Sequence, residues 1–196
     1  MKRAFDVVVS FAALVVLSPV LGAVAVAIKV TDPSGQVLFT QERVGLRGKV
    51  FRIHKFRSMR AGSPGIQVTS AHDDRITPVG RVIRKTKLDE LPQLWDVAVG
   101  NMSLVGPRPE VPKYAALWPA DAREVILSVR PGITDPASVR WRNESEELAA
   151  APDPERHYIQ VLLPEKTRMY VDYVQGRSFL GDLRVLASTL AAVGRG

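Results

Sequence analysis

An uncharged apolar stretch lies near the N-terminus of the chain. Val7 to Ile28 contains no charged side chain. As an α-helix this stretch would extend roughly 33 Å, about the thickness of the hydrocarbon core of a bilayer. A secretory signal peptide is the alternative, because Ala23-Val24-Ala25 resembles a cleavage site. The run is long for a signal peptide and Asp6 precedes it, so a membrane segment is the favoured interpretation.

Charges on both sides of this segment predict its path through the membrane. Cations precede it, and others follow it: Lys2 and Arg3, then Lys29, Arg43, Arg47, Lys49, Arg52, Lys55, Arg57 and Arg60. Because cationic flanks tend to stay in the cytoplasm, both ends of the segment are predicted to lie there.

The middle of the apolar stretch contains Ser18-Pro19. Pro19 lacks a backbone donor and clashes with the preceding turn, while the Ser18 hydroxyl can satisfy a freed carbonyl. A helix broken at this step would enter and leave the membrane on one face, as a re-entrant hairpin over residues 1–30. A straight span with a tolerated proline is the alternative.

The composition narrows the classes of partner and of chemistry. The chain has 196 residues, which suits one domain, and a formal net charge of +7. A basic balance favours anionic partners, namely a phosphorylated ligand, an acidic membrane surface or nucleic acid. The absence of cysteine excludes disulfides, thiolate metal sites and cysteine nucleophiles. Catalysis would therefore depend on carboxylates, bases or a hard cation.

Local patterns predict the remaining elements. Two β-rich runs between Val37 and Phe56, joined through Gly45 and Gly48, indicate a hairpin. Residues 61–76 are small and polar and predict an exposed loop. Thr77-Pro78 is typical of a helix start. The expected fold is α+β and mostly helical, with a small antiparallel β-hairpin and an N-terminal re-entrant membrane helix hairpin. Residues 31–196 are expected to form one domain at the cytoplasmic membrane interface.

A C-terminal segment from Ser178 has apolar residues at helical spacing, namely Phe179, Leu183, Leu186, Leu190 and Val193. Such a stripe suits an amphipathic helix on a membrane surface or a helix packed on the core, the latter being the more common case.

Two adjacent acids, Asp89 and Glu90, follow the cations Arg84, Lys85 and Lys87. Pro92 is tolerated near a helix start, which predicts a helix beginning at Leu88 or Asp89, with both acids in its first turn. The helix dipole and the cations would then lower the pKa of Asp89. The expected inward stripe of this helix is Leu91, Leu94, Trp95 and Val99.

Such a pair can perform phosphoryl chemistry. An ionised carboxylate can attack phosphorus to form an acyl phosphate, and its neighbour can share a magnesium ion with a pyrophosphate. The alternative is a pair of ordinary helix-start acids neutralised by surface lysines.

Three cations are candidate phosphate ligands. In Gly106-Pro107-Arg108-Pro109 the prolines stiffen the backbone around Arg108, whose guanidinium suits bidentate phosphate binding. Lys55 and Arg57 lie on the predicted hairpin, where cations are usually solvated.

His54, His72 and His157 lack metal-ligand spacing and are expected to be structural or surface residues.

The combination of these motifs resembles the bacterial sugar transferases, the monotopic polyprenyl-phosphate phosphoglycosyl transferases. The likeness extends from Lys2 to about Leu190 through the Ser-Pro apolar segment, FTQERVGLRGKVFRIHKFRSM, KLDELPQLWDVAVGNMSLVGPRPE and RPGIT, in that order. The length is similar to the minimal, single-module form of the family.

The resemblance implies transfer of a sugar 1-phosphate from a UDP-sugar to undecaprenyl phosphate, with release of UMP, at the start of glycan assembly. It implies Asp89 as the nucleophile, Glu90 as the Mg²⁺ ligand, and Lys55, Arg84 and Arg108 around the diphosphate. It also implies a re-entrant helix bent at Ser18 and Pro19, in the bacterial inner membrane with the catalytic domain facing the cytoplasm. Membrane lipids are expected partners, and nucleic acid is not. The identity of the sugar stays open. The oligomeric state also stays open, and a homo-oligomer is one possibility.

The chain departs from the family pattern at two places. Asp135-Pro136-Ala137-Ser138-Val139 replaces a common GWxQV after RPGIT, and Tyr170 occupies a position that is often acidic. Asp172 is a candidate replacement for that acid. Both departures bear on contacts with the sugar and the nucleotide.

Three rival functions use the same features. A nucleotide-sugar hydrolase would replace the lipid acceptor by water, and an ordinary glycosyltransferase would release UDP. A basic membrane-anchored adaptor would bind anionic lipid or nucleic acid and would tolerate loss of a single carboxylate.

Overall fold

The computed structural model describes residues 1–60, 62 and 73–194. The chain begins with one long helix, α1 (Lys2–Thr31), followed by the hairpin strands β1 (Leu38–Val44) and β2 (Val50–Phe56). The predicted loop at 61–76 lies mostly outside the described residues, as does His72.

The described part of the chain after residue 72 is mainly helical. The elements are α2 (Pro78–Lys85), α3 (Gln93–Val99), β3 (Ser103–Val105), α4 (Pro112–Ala115), α5 (Ala120–Leu127), β4 (Gly132–Thr134), α6 (Pro136–Arg140), α7 (Glu144–Ala150), α8 (Pro154–His157), α9 (Leu163–Gly176) and α10 (Phe179–Gly194). A π-helical turn, Tyr158–Leu162, connects α8 to α9. The predicted α+β, mostly helical fold is confirmed.

Both sheets have two strands. β1 and β2 pair antiparallel with Thr40 opposite His54, which confirms the hairpin. β3 and β4 form a parallel pair that the sequence patterns did not predict, because each strand has only three residues. Backbone contact in this pair is close: a Cβ added to Gly132 would lie 2.1 Å from the Gly106 nitrogen.

The helix α1 runs without interruption through Ser18 and Pro19. Pro19 leaves the carbonyl of Val15 without its helical partner, and the Ser18 hydroxyl donates to that oxygen at 2.8 Å. The expected compensation is therefore present. The continuous helix leaves the re-entrant path a prediction.

One face of α1 packs along the rest of the protein. Its first half contributes Phe5, Val9 and Leu17 to a cluster around Leu94 and Val97. Its second half joins a different cluster, in which Val24 and Ile28 contact residues of β2 and α2, namely Phe56 and Ile83.

The opposite face of α1 exposes large apolar side chains, namely Val8, Phe11, Val15, Val16, Val20, Val26 and Val30. The helix is long and apolar enough to cross a membrane. An apolar face of this extent is unusual on a protein surface in contact with water.

The third cluster fills the helical region from α4 to α9 around Trp118, Tyr158 and Leu162. The C-terminal helix α10 is mostly outside these clusters: Leu186 packs against the Leu94 cluster, whereas Phe179 and Leu190 are exposed. The predicted stripe on α10 is therefore only partly a core contact.

Candidate active site

Asp89 and Glu90 lie in a short 3-10 turn, Leu88–Glu90, between α2 and α3. The Thr77 hydroxyl accepts from the Gly80 amide at 2.9 Å and starts α2, as predicted. The backbone of Lys87 is left-handed, with φ of 58°, and turns the chain into the 3-10 segment. Both acids are thereby presented from a tight connection between two helices.

A helical turn begins at Leu88 and contains both acids, as predicted, but it is 3-10 and the α-helix itself starts later than predicted. The helix α3 begins at Gln93, after Pro92, so the two acids precede it. The predicted inward stripe was wrong at Trp95 and Val99, which are 54% and 50% exposed. The buried face includes Asp96, because its carboxylate contacts His54. It accepts a hydrogen bond from the backbone amide of His54 at 2.9 Å and lies 2.8 Å from the ring Nδ1 of His54.

Glu90 is the counterion of two cations. Its Oε1 accepts from Lys55 Nζ at 2.9 Å and from Arg108 Nη2, and its Oε2 accepts from Arg108 Nη1 at 3.0 Å. Burial alone would raise the pKa of Glu90, but Arg108 and Lys55 hold it well below its usual value. Glu90 is therefore ionised at neutral pH.

Asp89 has a different environment although it is the next residue. It is 8% exposed, and its Oδ1 is buried without a hydrogen-bond partner. Burial and the charge of Glu90 raise the pKa of Asp89 to about 6, against the attraction of Lys55, Arg84 and Lys87. The prediction of a lowered pKa was wrong, because desolvation outweighs the cations and the turn precedes α3.

Arg108 is held by the irregular segment after β3. Its guanidinium donates to Glu90 and also to the carbonyl of Ile133 at 3.3 Å. The backbone before it is held against the segment that leads into β4, since a Cβ on Gly106 would lie 2.5 Å from the Arg130 carbonyl oxygen. The guanidinium is preset, as the prolines predicted, and in this structure it faces Glu90.

The turn opens into a large cavity of about 1950 Å³. All five predicted polar site residues line it: Lys55, Arg84, Asp89, Glu90 and Arg108. The structure thus brings together residues that are up to 53 positions apart in the chain. Arg57 does not line this cavity. Its side chain is buried, and its Nη2 donates to the Asp32 carbonyl.

Arg43 is a cavity residue that the sequence reasoning missed. Burial lowers its pKa, its Nη1 donates to the Pro109 carbonyl at 3.0 Å, and its buried Nε has no hydrogen-bond partner. In the hairpin register Arg43 opposes Phe51, and Phe39 opposes Lys55. The odd-numbered residues therefore share a face, and strand alternation from Lys55 could have identified Arg43.

A second polar group lines the cavity away from the turn. Lys166, which is almost fully buried, is paired with Glu144, and its ammonium lies 5.1 Å from the ring centre of Tyr158. The Lys87 ammonium, 3.4 Å from the Arg142 carbonyl, joins the turn of Asp89 and Glu90 to the segment that carries Glu144. Nothing in the local sequence pattern marked Lys166 or Glu144.

The two departures from the family pattern have different environments. Asp135 is fully buried and caps α6 by accepting from the amides of Ala137 and Ser138, at 2.7 and 3.1 Å. Tyr170 is buried and lines the cavity. Asp172 is exposed on α9 and is not among the cavity residues, so it does not replace an acid at position 170.

The residues of the turn fit a magnesium ion. Within residues 1–60, 62 and 73–194, no group of three or more His, Asp and Glu side chains could hold a metal. Mg²⁺ nevertheless binds through one or two carboxylates together with substrate phosphates. A carboxylate has about four lone-pair sites, and the hydrogen bonds of Glu90 occupy three of them, while Asp89 Oδ1 is unpartnered.

Comparison with known proteins identifies the family of the chain. Residues 1–196 match the family described as bacterial sugar transferase. A UDP-glucose:undecaprenyl-phosphate glucose-1-phosphate transferase of Escherichia coli K12 is 41% identical over 76% of this chain and 33% of its own length. A protein of the same name from Caulobacter vibrioides is 36% identical over 98% of this chain and 69% of its own length.

A third relative carries a different sugar in its name. The undecaprenyl-phosphate galactose phosphotransferase of Salmonella typhimurium LT2 is 34% identical over 98% of this chain and 40% of its own length. The chain thus spans about a third to two thirds of the length of these relatives. The match over the whole chain, together with these identities, shows that the chain belongs to the bacterial sugar transferase family.

Proposed function

We propose that this chain transfers a sugar 1-phosphate from a UDP-sugar to undecaprenyl phosphate, releasing UMP and leaving a polyprenyl diphosphate sugar that starts glycan assembly. The names of the relatives support both substrates and the reaction. The observation that carries the proposal is the unpartnered, buried Oδ1 of Asp89 at a cavity lined by Lys55, Arg84 and Arg108.

In the first step Asp89 Oδ1 attacks the phosphorus that carries the sugar. A bond forms between this oxygen and phosphorus, the bond from phosphorus to the UMP oxygen breaks, and UMP leaves. The product is an acyl phosphate, in which the Asp89 carboxylate carries the sugar phosphate. A carboxylate without a hydrogen bond keeps its lone pairs available, and a pKa near 6 leaves it mostly ionised at neutral pH.

In the second step a phosphate oxygen of undecaprenyl phosphate attacks the same phosphorus. The bond to Asp89 breaks and the carboxylate is regenerated. Lys55, Arg108 and Arg43 are fixed by hydrogen bonds, so their charge is in place as negative charge shifts between phosphate oxygens. Fixed cations stabilise that charge without reorganising during the reaction.

Magnesium would be held by Glu90 together with phosphate oxygens of the substrate. When bound, the ion supplies neutralising charge to the diphosphate. Glu90 also keeps Lys55 and Arg108 in position, which is a role it has in the protein alone.

We further propose that α1 is re-entrant in the bacterial inner membrane, bent at Ser18 and Pro19, with the catalytic domain on the cytoplasmic face. Support comes from packing at both ends of α1 on the same domain: Arg3 donates to the Val97 carbonyl at 2.7 Å, and Ile28 joins the cluster of Phe56 and Ile83. A soluble substrate and a lipid substrate meet naturally at such an interface.

The test is mass spectrometry of the protein mixed with a UDP-sugar in the absence of a lipid acceptor. The expected result is a phosphosugar adduct on Asp89 with release of an equal amount of UMP. Asp89→Asn should give neither, and Asp172→Asn, a change at an exposed acid on α9, should give both. Free sugar phosphate without an adduct would indicate a hydrolase, and release of UDP would indicate an ordinary glycosyltransferase.

A further inference from the structure

The cavity at Asp89 continues beyond its charged residues into an apolar arm. One wall of this arm is formed by Val9, Ala13 and Leu17 of α1, and the other by Leu186, Leu190 and Val193 of α10. The spacing of three or four residues places each set on one side of its helix. Both helices therefore line the arm with one apolar face each.

The arm is directly connected to the phosphate end of the cavity. Arg108 Nη1 donates to the carbonyl of Ile133, a residue that itself lines the cavity. The next residue, Thr134, contacts Thr189 of α10 through their hydroxyls at 2.7 Å. Two adjacent residues of β4, Ile133 and Thr134, thus link Arg108 to α10 at the beginning of the apolar arm.

The cavity is larger than one small ligand usually fills. Pockets for one small ligand usually measure about 300–1,000 Å³, and this cavity measures about 1950 Å³. A sugar would leave its hydroxyl groups unpaired against six apolar side chains, which is costly. The arm instead suits the apolar part of a molecule whose anionic head lies at the cations.

The arm also opens onto the apolar surface of the protein. Leu190 lines the cavity and is 73% exposed, so it lies at the mouth of the arm. On α1, Phe11, Val15 and Val16 are exposed beside the arm-lining residues. A chain dissolved in the bilayer can enter from this side without crossing water.

We propose that the apolar arm holds the part of the polyprenyl chain nearest the phosphate of the acceptor, with the chain entering between α1 and the last turns of α10. This inference rests on the proposed function. From Val9 to Leu17 the wall extends about 12 Å, which is far shorter than the whole lipid, so the rest of the chain stays in the membrane. Recognition therefore depends on the first isoprene units.

The first test separates the two substrates kinetically. Leu190→Ser should raise the KM for undecaprenyl phosphate about tenfold, because apolar contact at the mouth is lost. The KM for the UDP-sugar and the formation of the Asp89 adduct should not change. Leu180→Ser is the matched control, since Leu180 is 65% exposed on the same helix and does not line the cavity. An equal effect of both variants would overturn the assignment.

The second test does not require turnover. Undecaprenyl phosphate carrying a diazirine in its first isoprene units should label peptides containing Val9–Leu17 and Leu186–Val193, and unlabelled undecaprenyl phosphate should compete. Labelling of other peptides, or equal competition by phosphatidylglycerol, would overturn the assignment of the arm to the polyprenyl chain. Absence of the Asp89 adduct would refute the proposed reaction, while labelling of both helices in that case would still support the arm as a lipid site.

Discussion

Arg108 binds Glu90 through both of its terminal nitrogens, Nη1 at 3.0 Å from Oε2 and Nη2 on Oε1. Lys55 binds the same carboxylate, so one acid neutralises two cations. The adjacent Asp89 is left with a buried, unpartnered oxygen. The two neighbouring acids therefore have separate tasks, since Glu90 organises the cations and Asp89 is free to react.

Glu90→Gln should destabilise the protein, because Lys55 and Arg108 would keep their charges in a partly buried site without a counterion. Loss of one partner of such a pair costs about 3 kcal/mol, which for a chain of this size lowers Tm by about 10 °C. Thermal unfolding in detergent measures this change.

The control for this change is Glu42→Gln. Glu42 pairs with Arg52 at 3.8 Å on the surface of the hairpin, where both side chains are largely exposed. Its loss should cost less than about 1 kcal/mol. Similar shifts for the two variants would contradict the organising role of Glu90.

The rate should depend on pH through Asp89. In the proposed reaction only the ionised carboxylate attacks phosphorus. Because burial and Glu90 raise the pKa of Asp89 to about 6, kcat/KM should increase with pH up to about 6 and level off near pH 7. Glu90 stays ionised throughout this range, since its pKa is well below the usual value. A pH profile of kcat/KM measures the midpoint.

A charge change near Asp89 should move this midpoint. Lys87 lowers the pKa of Asp89, so Lys87→Gln should shift the midpoint to higher pH. Arg52→Gln, on the exposed face of the hairpin, should leave it in place. A profile that is flat from pH 5 to pH 8 would contradict the raised pKa.

Asp89→Asn should abolish turnover and stabilise the fold at neutral pH. An acid whose pKa is raised from 3.8 to about 6 on folding favours its protonated form in the folded state. The wild-type protein therefore loses stability as the pH rises from about 4 to 6. Above this range the total loss in the free energy of unfolding is about 3 kcal/mol. Asparagine has no such dependence.

The measurement is the difference in Tm between Asp89→Asn and the wild-type protein at several pH values. The difference should be close to zero at pH 4 and largest above pH 7. A variant that is less stable than the wild-type protein at pH 7.5 would show that the buried charge stabilises the fold, contrary to this expectation.

Local signals in the sequence were sufficient for several elements. The helix start at Thr77 depends on a hydroxyl, a proline and an amide within four residues, and the hairpin depends on two short runs around glycines. The compensation of Pro19 by Ser18 is equally local. Such features involve neighbours in the chain, so sequence patterns contain the information.

Features that depend on distant residues could not be derived in this way. The pKa of Asp89 was predicted in the wrong direction because burial arises from the packing of the whole cavity, whereas the cations are visible nearby in the sequence. The outward position of Trp95 follows from the bond between Asp96 and His54, which are 42 residues apart. The pairing of Gly132 with Ser103 is likewise non-local.

Gly132→Ala should disrupt the site from a distance. The new Cβ would lie 2.1 Å from the Gly106 nitrogen and 2.4 Å from its oxygen, and backbone atoms in a paired strand cannot yield without separating the strands. Gly106 leads into Pro107 and Arg108, so the guanidinium should move away from Glu90. We expect a destabilisation of about 3 kcal/mol and loss of turnover.

Gly176→Ala is the control for added volume. Nothing lies within 4 Å of a Cβ at Gly176, at the end of α9, so this substitution should be neutral or slightly stabilising. Tm and turnover of the two variants give the comparison. Normal activity of Gly132→Ala would show that the contact between β3 and β4 does not position Arg108.

Both ends of α1 should be inaccessible from outside the inner membrane. Arg3 donates to the carbonyls of Val97 and Ala98 at one end, and Ile28 packs against Phe56 at the other. A straight crossing would require part of the same domain on each side of the bilayer, with polar backbone inside it. Because the chain has no cysteine, single substitutions Ala4→Cys and Gln36→Cys report on each end without background. A membrane-impermeant maleimide should label neither in spheroplasts and both after lysis, whereas labelling of Ala4→Cys alone in spheroplasts would establish a straight span and refute the re-entrant path.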